Sequence, residues 1–372
     1  KKSTVDPVFA LRTIAEKYRE GQEELHIIFI DLEKAYDRVP REELWYCMRR
    51  KRVNEKYVKA IQEMYVECET VVRCSVGTTD PFKVKVGLHQ GSALSPLLFA
   101  IIMDELTVDI RRNSPHNMMF ADDVVLVNET KVEAEQELEN WRNALERRGL
   151  KVSRSKTEYM CLNKKHNLPP IKLGGEEVPE VEKFKYLGST LQRDGGSEKE
   201  VNSRIQAGWN SWRKTTGILS NRYIPKKIKG KVHVYRTVVR PSMLYGMETV
   251  PLTKNQERKM EVAEMRMLRW ATGVTRKDRI RNDDIRNGIG VGQMSKKLQE
   301  NRLRWYGHVK RRDEEYVGKR CMKMDMPGRR RRGRPKRRWL DNIKEDMVEK
   351  GLTKEDAQDR TKWRRNIRSD DP

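Results

Sequence analysis

Leu25-His26-Ile27-Ile28-Phe29-Ile30-Asp31 is the stretch on which the fold turns. Its apolar run is almost unbroken, which suits a strand covered on both faces, and it stops on an acid. A second stretch, Met118-Met119-Phe120-Ala121-Asp122-Asp123-Val124-Val125-Leu126-Val127, reads as two apolar strands joined by a tight polar insertion at Asp122-Asp123. A carboxylate at the edge of a buried sheet loses hydration unless it is paired, hydrogen-bonded or metal-bound. Two adjacent acids fare worse, because like charges resist joint ionisation. A divalent cation relieves both problems. Mg²⁺ prefers hard oxygen ligands, takes one or two carboxylates and completes its shell with phosphate oxygens and water. Strand-end acids that become neighbours in a sheet are therefore a candidate two-metal site for in-line phosphoryl transfer. Alone, an Asp-Asp pair in a hairpin is more often a plain turn. The sequence around it decides between the two.

Working outward, residues 1–20 show helical spacing of Val8, Leu11, Ala15 and Tyr18. Pro40 with Glu42-Glu43 opens a helix reaching about Arg52, since proline and acids favour a first turn. A helix over 54–67, a hairpin over 70–87, a polar glycine-bearing loop over 87–95 and an apolar helix over 97–110 follow. An amphipathic helix over 132–148 places Ala134, Leu138, Trp141 and Leu145 on one stripe and stops at Gly149. Two more strands are predicted over 157–162 and 183–191. This order predicts an α+β domain, an antiparallel sheet with helices on one face. Beyond Gly195-Gly196 the pattern becomes basic and helical, over 198–220, 225–239, 253–272 and 293–310. A basic run at 327–338 and two short helices, 339–350 and 353–368, complete the chain.

The charge is divided as sharply as the pattern. The 372 residues hold 79 Lys and Arg against 55 Asp and Glu, a net of +24. Residues 1–200 contain 33 basic and 34 acidic side chains, and residues 201–372 contain 46 and 21. The excess lies wholly in the C-terminal part, which points there for a polyanionic partner. No run approaches the ~18 apolar residues of a membrane span, and no signal peptide opens the sequence. The five cysteines are scattered without a C-x-x-C pair, so neither a zinc knuckle nor a disulfide framework is expected. An intracellular, reducing location, nuclear or cytoplasmic rather than secreted, fits these features. A start on Lys1 with an immediate helical pattern reads as a piece of a longer polypeptide.

Residues 25–39, Leu-His-Ile-Ile-Phe-Ile-Asp-Leu-Glu-Lys-Ala-Tyr-Asp-Arg-Val, resemble motif A of the reverse transcriptases of non-LTR retrotransposons. Gly87-Leu88-His89-Gln90-Gly91-Ser92-Ala93-Leu94-Ser95-Pro96-Leu97-Leu98-Phe99 is similar to their motif B, and Phe120-Ala121-Asp122-Asp123 to motif C. Gly149-Leu150-Lys151-Val152 through Lys156-Thr157 resembles motif D, and Phe184-Lys185-Tyr186-Leu187-Gly188 the primer-grip motif E. Five motifs in the family's order and spacing are beyond chance. Two later segments, Arg302-Leu303-Arg304-Trp305-Tyr306-Gly307-His308-Val309 and Gly333-Arg334-Pro335-Lys336, are similar to C-terminal parts of RTE-like elements.

The resemblance implies a palm with partial fingers over 1–195, a helical thumb or connection over 196–310 and a basic nucleic-acid-binding tail over 311–372. It implies an RNA-directed DNA polymerase that transfers nucleotides from dNTPs to the 3′-hydroxyl of a DNA primer or target DNA on an RNA template. Two Mg²⁺ ions, with Mn²⁺ as substitute, would be held by Asp31 and Asp122 with Asp123 as neighbour. Tyr36 would crowd a ribose 2′-hydroxyl, and Gln90 and Gly91 would line the nucleotide pocket. Lys156 would protonate the leaving pyrophosphate. Phe184, Tyr186, Leu187 and Gly188 would support the primer. Plainer roles compete for several of these: packing for Tyr36, a solvated strand-edge lysine for Lys156, core positions for Phe184 and Leu187.

Two departures from the family pattern stand out. Most of the fingers region expected before motif A is missing, and so is the endonuclease domain. His89, where Pro is commoner, fits RTE-like relatives. An alternative reading follows, a catalytically inactive remnant that binds nucleic acid without turnover. A group II intron maturase shares motifs A to E, but its thumb and maturase domain find no match.

In the basic half, Lys226, Lys227 and Lys229 cluster near Tyr235 and Arg236, and Arg329, Arg330, Arg331, Arg332, Arg334, Lys336, Arg337 and Arg338 form a run. Such residues neutralise phosphates with little sequence content. The run also suits minor-groove insertion or a nuclear address. Trp209 and Trp212 accompany Arg204 and Arg213 at helical spacing, which favours core positions over base stacking.

Overall fold

All six residues of Leu25–Ile30 are buried, as an unbroken apolar run requires. In the computed structural model, which describes residues 3–165, 169–219, 231–326, 333 and 336–369, this strand lies inside a four-stranded antiparallel sheet. One neighbour is Asp123–Asn128, with Ile28 opposite Leu126 and Ile30 opposite Val124. The other is Glu158–Leu162, with Ile28 opposite Tyr159. Asn117–Phe120 forms the outer edge by pairing with Asp123–Asn128. The strand order therefore interleaves distant segments, which only tertiary pairing can do.

The chain divides into two compact units, residues 24–181 and residues 1–23 with 182–372. In the first, helices Arg41–Arg50, Ser95–Leu106 and Lys131–Glu146 share one core with the sheet, built on Ile28, Ile30, Leu126, Leu98, Phe99, Leu138 and Trp141. Local chemistry starts these helices. Thr130 caps the last of them by accepting the Glu133 N–H at 3.3 Å, and Asn54 does the same for Glu55–Tyr65 through the Lys56 N–H at 3.0 Å. The hairpin expected over 70–87 is two nested ribbons, Arg73–Cys74 with Gly77–Thr78 inside Glu69–Thr70 with Phe82–Lys83. Their residues are exposed, so alternation there marks a ribbon with no buried face.

Among the described residues, the other unit is helical apart from one hairpin. Its strand expected over 183–191 turns back on itself as Lys183–Tyr186 and Ser189–Gln192, with Tyr186 opposite Ser189. The two residues between them, Leu187 and Gly188, have φ of +46° and +78°, the backbone of a tight two-residue turn. Helices Glu198–Lys214 and Lys254–Thr272 surround a core containing Trp212, Tyr235, Met243 and Met267, with Trp209 packed against it. A third core joins Leu303, Tyr306, Trp339 and Trp363. Asn282–Ile289 and Val317–Lys323 are helices that the sequence pattern does not announce. None of the helices among the described residues is long and apolar enough to cross a membrane.

Candidate active site

Sheet register brings the acids of the two opening stretches together. Ile30 pairs with Val124, so the next residue, Asp31, faces the level of Asp123 across the strand boundary. Phe120 pairs with Asp123 and leaves Ala121-Asp122 as the turn. Ala121 sits at φ +56°, a left-handed backbone unusual for alanine and stored at the point where Asp122 is displayed. The three carboxylates share one field. Burial and the charges of Asp122 and Asp31 push the Asp123 carboxyl up to about 6. Asp31 is also raised, first by burial and then by Asp122, against the lowering charge of Lys156.

Lys156 reaches Asp31 because of how the chain enters the strand Glu158–Leu162. The Ser153 N–H donates to Asp31 O at 2.8 Å, and the Asp31 N–H meets Thr157 Oγ1 at 3.4 Å. These bonds carry Lys156 Nζ to 3.8 Å from Asp31 Oδ2, an ion pair rather than a hydrogen bond. Asp31 Oδ2 itself is buried without a hydrogen-bond partner. An unsatisfied carboxylate oxygen among mutually repelling acids is the donor set that a hard divalent cation relieves. Among the described residues no three His, Cys, Asp or Glu side chains converge into a ready ligand set. The residues nonetheless fit such an ion in charge, in oxygen chemistry and in the orphaned oxygen.

Tyr36 stands at the rim of this cluster. Its ring stacks on Phe99 with centroids 4.6 Å apart, and both burial and the charge of Asp122 raise its hydroxyl. Its carbonyl accepts the Leu88 N–H at 2.8 Å, which ties the motif A segment to the glycine loop. Packing and proximity to the acids coexist in this one side chain. Gln90 donates to Asp37 Oδ1 at 2.7 Å from an exposed position. Gly91 has φ +83° and nothing within 4 Å of where a Cβ would be, so its face is open. Gly87, which the motif pattern does not single out, is the more constrained: at φ +91°, an added Cβ would lie 2.7 Å from Asp37 O. The loop's start is thus locked onto the segment carrying Tyr36, and no local signal separates Gly87 from its neighbours.

The motif E hairpin belongs to the other unit, where side chains from distant segments hold it. Arg12 donates to Ser189 Oγ at 2.9 Å and Thr190 O at 2.8 Å. Glu200, wholly buried, accepts from Arg204 Nε at 2.8 Å and the Ser189 hydroxyl at 3.2 Å. Tyr245 donates to Leu187 O at 2.8 Å, and Arg204 to Gly188 O. Tyr186 is buried and Phe184 half-buried. Arg204, which the sequence places at helical spacing with Trp209 and Trp212, is thus a buried bracket of the turn. Arg12, Glu200 and Tyr245 carry no sequence signal, because their role exists only once the hairpin is formed.

Of the basic run, Lys336 donates to Asp194 O at 3.0 Å, Arg337 to Asn342 Oδ1 at 3.0 Å and Arg338 to Asp341 Oδ1 at 2.9 Å. Lys226, Lys227, Lys229, Arg329, Arg330, Arg331, Arg332 and Arg334 lie outside the described residues.

A family model described as reverse transcriptase (RNA-dependent DNA polymerase) matches residues 1–191, just over half of the chain. The chain belongs to that family. Its relatives place this reverse transcriptase among those of non-LTR retrotransposons. It is 22% identical over 285 residues to the RNA-directed DNA polymerase from mobile element jockey of Drosophila melanogaster, over 73% of this chain and 31% of that protein. It is 23% identical over 271 residues to an uncharacterized transposon-derived protein of Caenorhabditis elegans, over 68% of this chain and 95% of that protein. The reverse transcriptase thus spans nearly all of the nematode protein and under a third of the jockey polymerase. Among solved structures it is similar to a Candida tropicalis telomerase in complex with a fragment of telomeric RNA. That match has 14% identity and a TM-score of 0.43, over 79% of this chain and 50% of the other.

Proposed function

We propose that this chain is the catalytic part of a retrotransposon polymerase that extends a DNA primer on an RNA template with dNTPs. The observation that carries the proposal is the meeting of Asp31, Asp122 and Asp123 at one sheet edge, with Lys156 at 3.8 Å from Asp31. Asp31 and Asp122, with Asp123 beside them, would hold Mg²⁺, or Mn²⁺ in its place, which when bound activates a primer hydroxyl and neutralises triphosphate charge. The chain's own groups do the rest. Asp31, whose Oδ2 has no hydrogen bond and only the 3.8 Å ion pair with Lys156, is poised to exchange Lys156 for a stronger cation. Lys156, released from the pair, has a proton to give to the leaving pyrophosphate. Tyr36, braced on Phe99, presents its edge where a 2′-hydroxyl would clash. Gln90 and the open face of Gly91 leave room for a base beside the loop. The motif E turn, pinned by Arg12, Arg204 and Tyr245, is rigid enough to seat a primer terminus.

The division into palm with partial fingers (1–195), thumb (196–310) and basic tail (311–372) belongs to the same proposal. The test is primer extension by the purified chain on an annealed RNA template with Mg²⁺ and dNTPs, beside an Asp122→Ala variant. Extension that vanishes in the variant supports the reading. Salt-dependent binding of template–primer without extension favours an inactive binding remnant, and extension that survives in Asp122→Ala rejects the metal assignment.

A further inference from the structure

The helical unit contains an open cleft of about 740 Å³. Arg236, Lys297, Arg304, Arg364, Arg365 and Arg368 line it, with Glu300 as its acid. The cations come from three places: the helix Met294–Arg311, the helix Arg360–Ile367 with the residue after it, and the π-helical turn Tyr235–Val239. Lys297, Glu300 and Arg304 recur at three- and four-residue spacing, so one helical face carries them. Glu300 is engaged by two of these same cations, which spends part of the Lys297 and Arg304 charge on it. It accepts the Ser369 N–H at 3.2 Å, lies 3.4 Å from Lys297 and pairs with Arg304. Arg364, Arg365 and Arg368 are exposed, while Trp363 and Ile367 of the same helix are buried and fix its orientation.

We propose that this cleft seats the sugar–phosphate backbone of a nucleic acid, a second anchor that grips consecutive phosphates without reading bases. Three features select that ligand. Guanidinium groups predominate, and their planar forks suit phosphate oxygens. Ile367 is the apolar residue of the lining and, among the described residues, no aromatic ring enters it, so the cleft offers neither a stacking surface nor an apolar slot for a base. Finally, from Lys297 to Arg304 a helix rises ~10 Å, which matches about three charges at 3.4 Å per phosphate along one strand. A neighbouring recess shares Lys297 and Ser369 and adds Lys296 and Arg286, both ion-paired, and Asp283, so the basic strip is confined to the cleft itself. The presence of a nucleic-acid partner rests on the polymerase reading; the place where it is held does not.

The experiment measures binding of an RNA–DNA template–primer by the full chain across a salt series, by fluorescence anisotropy. The cleft variant is R364Q/R365Q/R368Q, and the control is K277Q/K344Q/K354Q, exposed lysines outside the cleft with the same loss of charge. The expected result is at least about tenfold weaker binding for the cleft variant, with the slope of log K against log salt reduced by about 2 to 3. The control should move the slope by less than one. Equal slopes for wild type and cleft variant overturn the proposal, and so does an equal effect of the control, which would mean diffuse attraction. Should the cleft variant melt early, K297Q/R304Q is measured in its place against K277Q/K344Q, with an expected slope reduction of about 1 to 2. Primer extension is recorded in parallel: loss of binding slope with extension retained at low salt keeps both readings. Normal extension with an unchanged slope removes the cleft alone. No binding by the wild type removes both.

Discussion

Two groups of acids in this chain live under opposite rules. In the helical unit, two sets of buried carboxylates are bracketed by arginine. Arg302, 2% exposed, bonds Asp346 at 2.7 Å and Glu257 at 2.8 Å. Glu264, wholly buried, accepts the Tyr235 hydroxyl at 2.5 Å and Arg286 at 3.2 Å, with Arg240 at 3.6 Å. At the sheet edge, Asp31, Asp122 and Asp123 have no arginine bracket among the described residues, only the more distant Lys156, and burial plus mutual repulsion raises two of them. The first arrangement holds a fold together, since removing one partner strands a buried charge. The second leaves negative charge without a close counter-charge, which is costly to the fold and is what the proposed cation role requires.

The comparison breaks most decisively at Asp122. Asp122→Asn keeps the turn but removes a charge from the proposed metal site, and extension should fall about a thousandfold or more with the melting temperature unchanged. A variant that loses its fold instead would place Asp122 with the structural acids. Next in size is Arg302→Leu, which leaves Asp346 and Glu257 without their common cation. It should lower stability by about 3–5 kcal/mol in denaturant titration, and a neutral outcome would show the network to be solvated.

Protonation offers a finer cut. The Asp123 carboxyl, raised to about 6, holds its proton in the folded state at pH values where the unfolded chain has released it. The stability this brings is present below about pH 4 and is lost as pH rises through about 6. Cation affinity runs the other way, rising through the same window as the acid ionises. Mn²⁺ binding followed by isothermal titration at pH 5 and pH 7 should show that gain. Asp123→Asn should flatten the stability profile and add about 1 kcal/mol at neutral pH, a figure reduced for partial solvent exposure. The smallest effect is at Lys156. Removing its charge in Lys156→Met lets the Asp31 carboxyl rise further, visible as an upward shift in its titration by NMR.

Much of this architecture is legible in the chain's local patterns. The apolar run ending on Asp31 and the Asp122-Asp123 turn each carry such a pattern, so both the strands and the acids can be named from it, whereas Lys156 is named only through the resemblance to motif D. The helices Arg41–Arg50 and Lys131–Glu146 announce themselves through their first turns and stripes. What local pattern misses has a common cause. Lys183–Tyr186 and Ser189–Gln192 read as one strand because a Leu-Gly turn interrupts alternation only slightly. Gly87 looks like any loop glycine until Asp37 lies against it.

The sequence by itself determined most of the segments that form strands and helices, where the excess charge lies and which acids are candidates for chemistry, because propensity and hydrophobic period act over a few residues. Only the tertiary structure decided which strands pair, so that Asp31 and Asp123 share one edge. It also decided which cations are spent on buried acids, as Arg204 and Arg302 are, and which, like Arg364 and Arg365, stay at the surface. Pairing and charge neutralisation depend on groups far apart along the chain, and a one-dimensional pattern does not contain the distance between them.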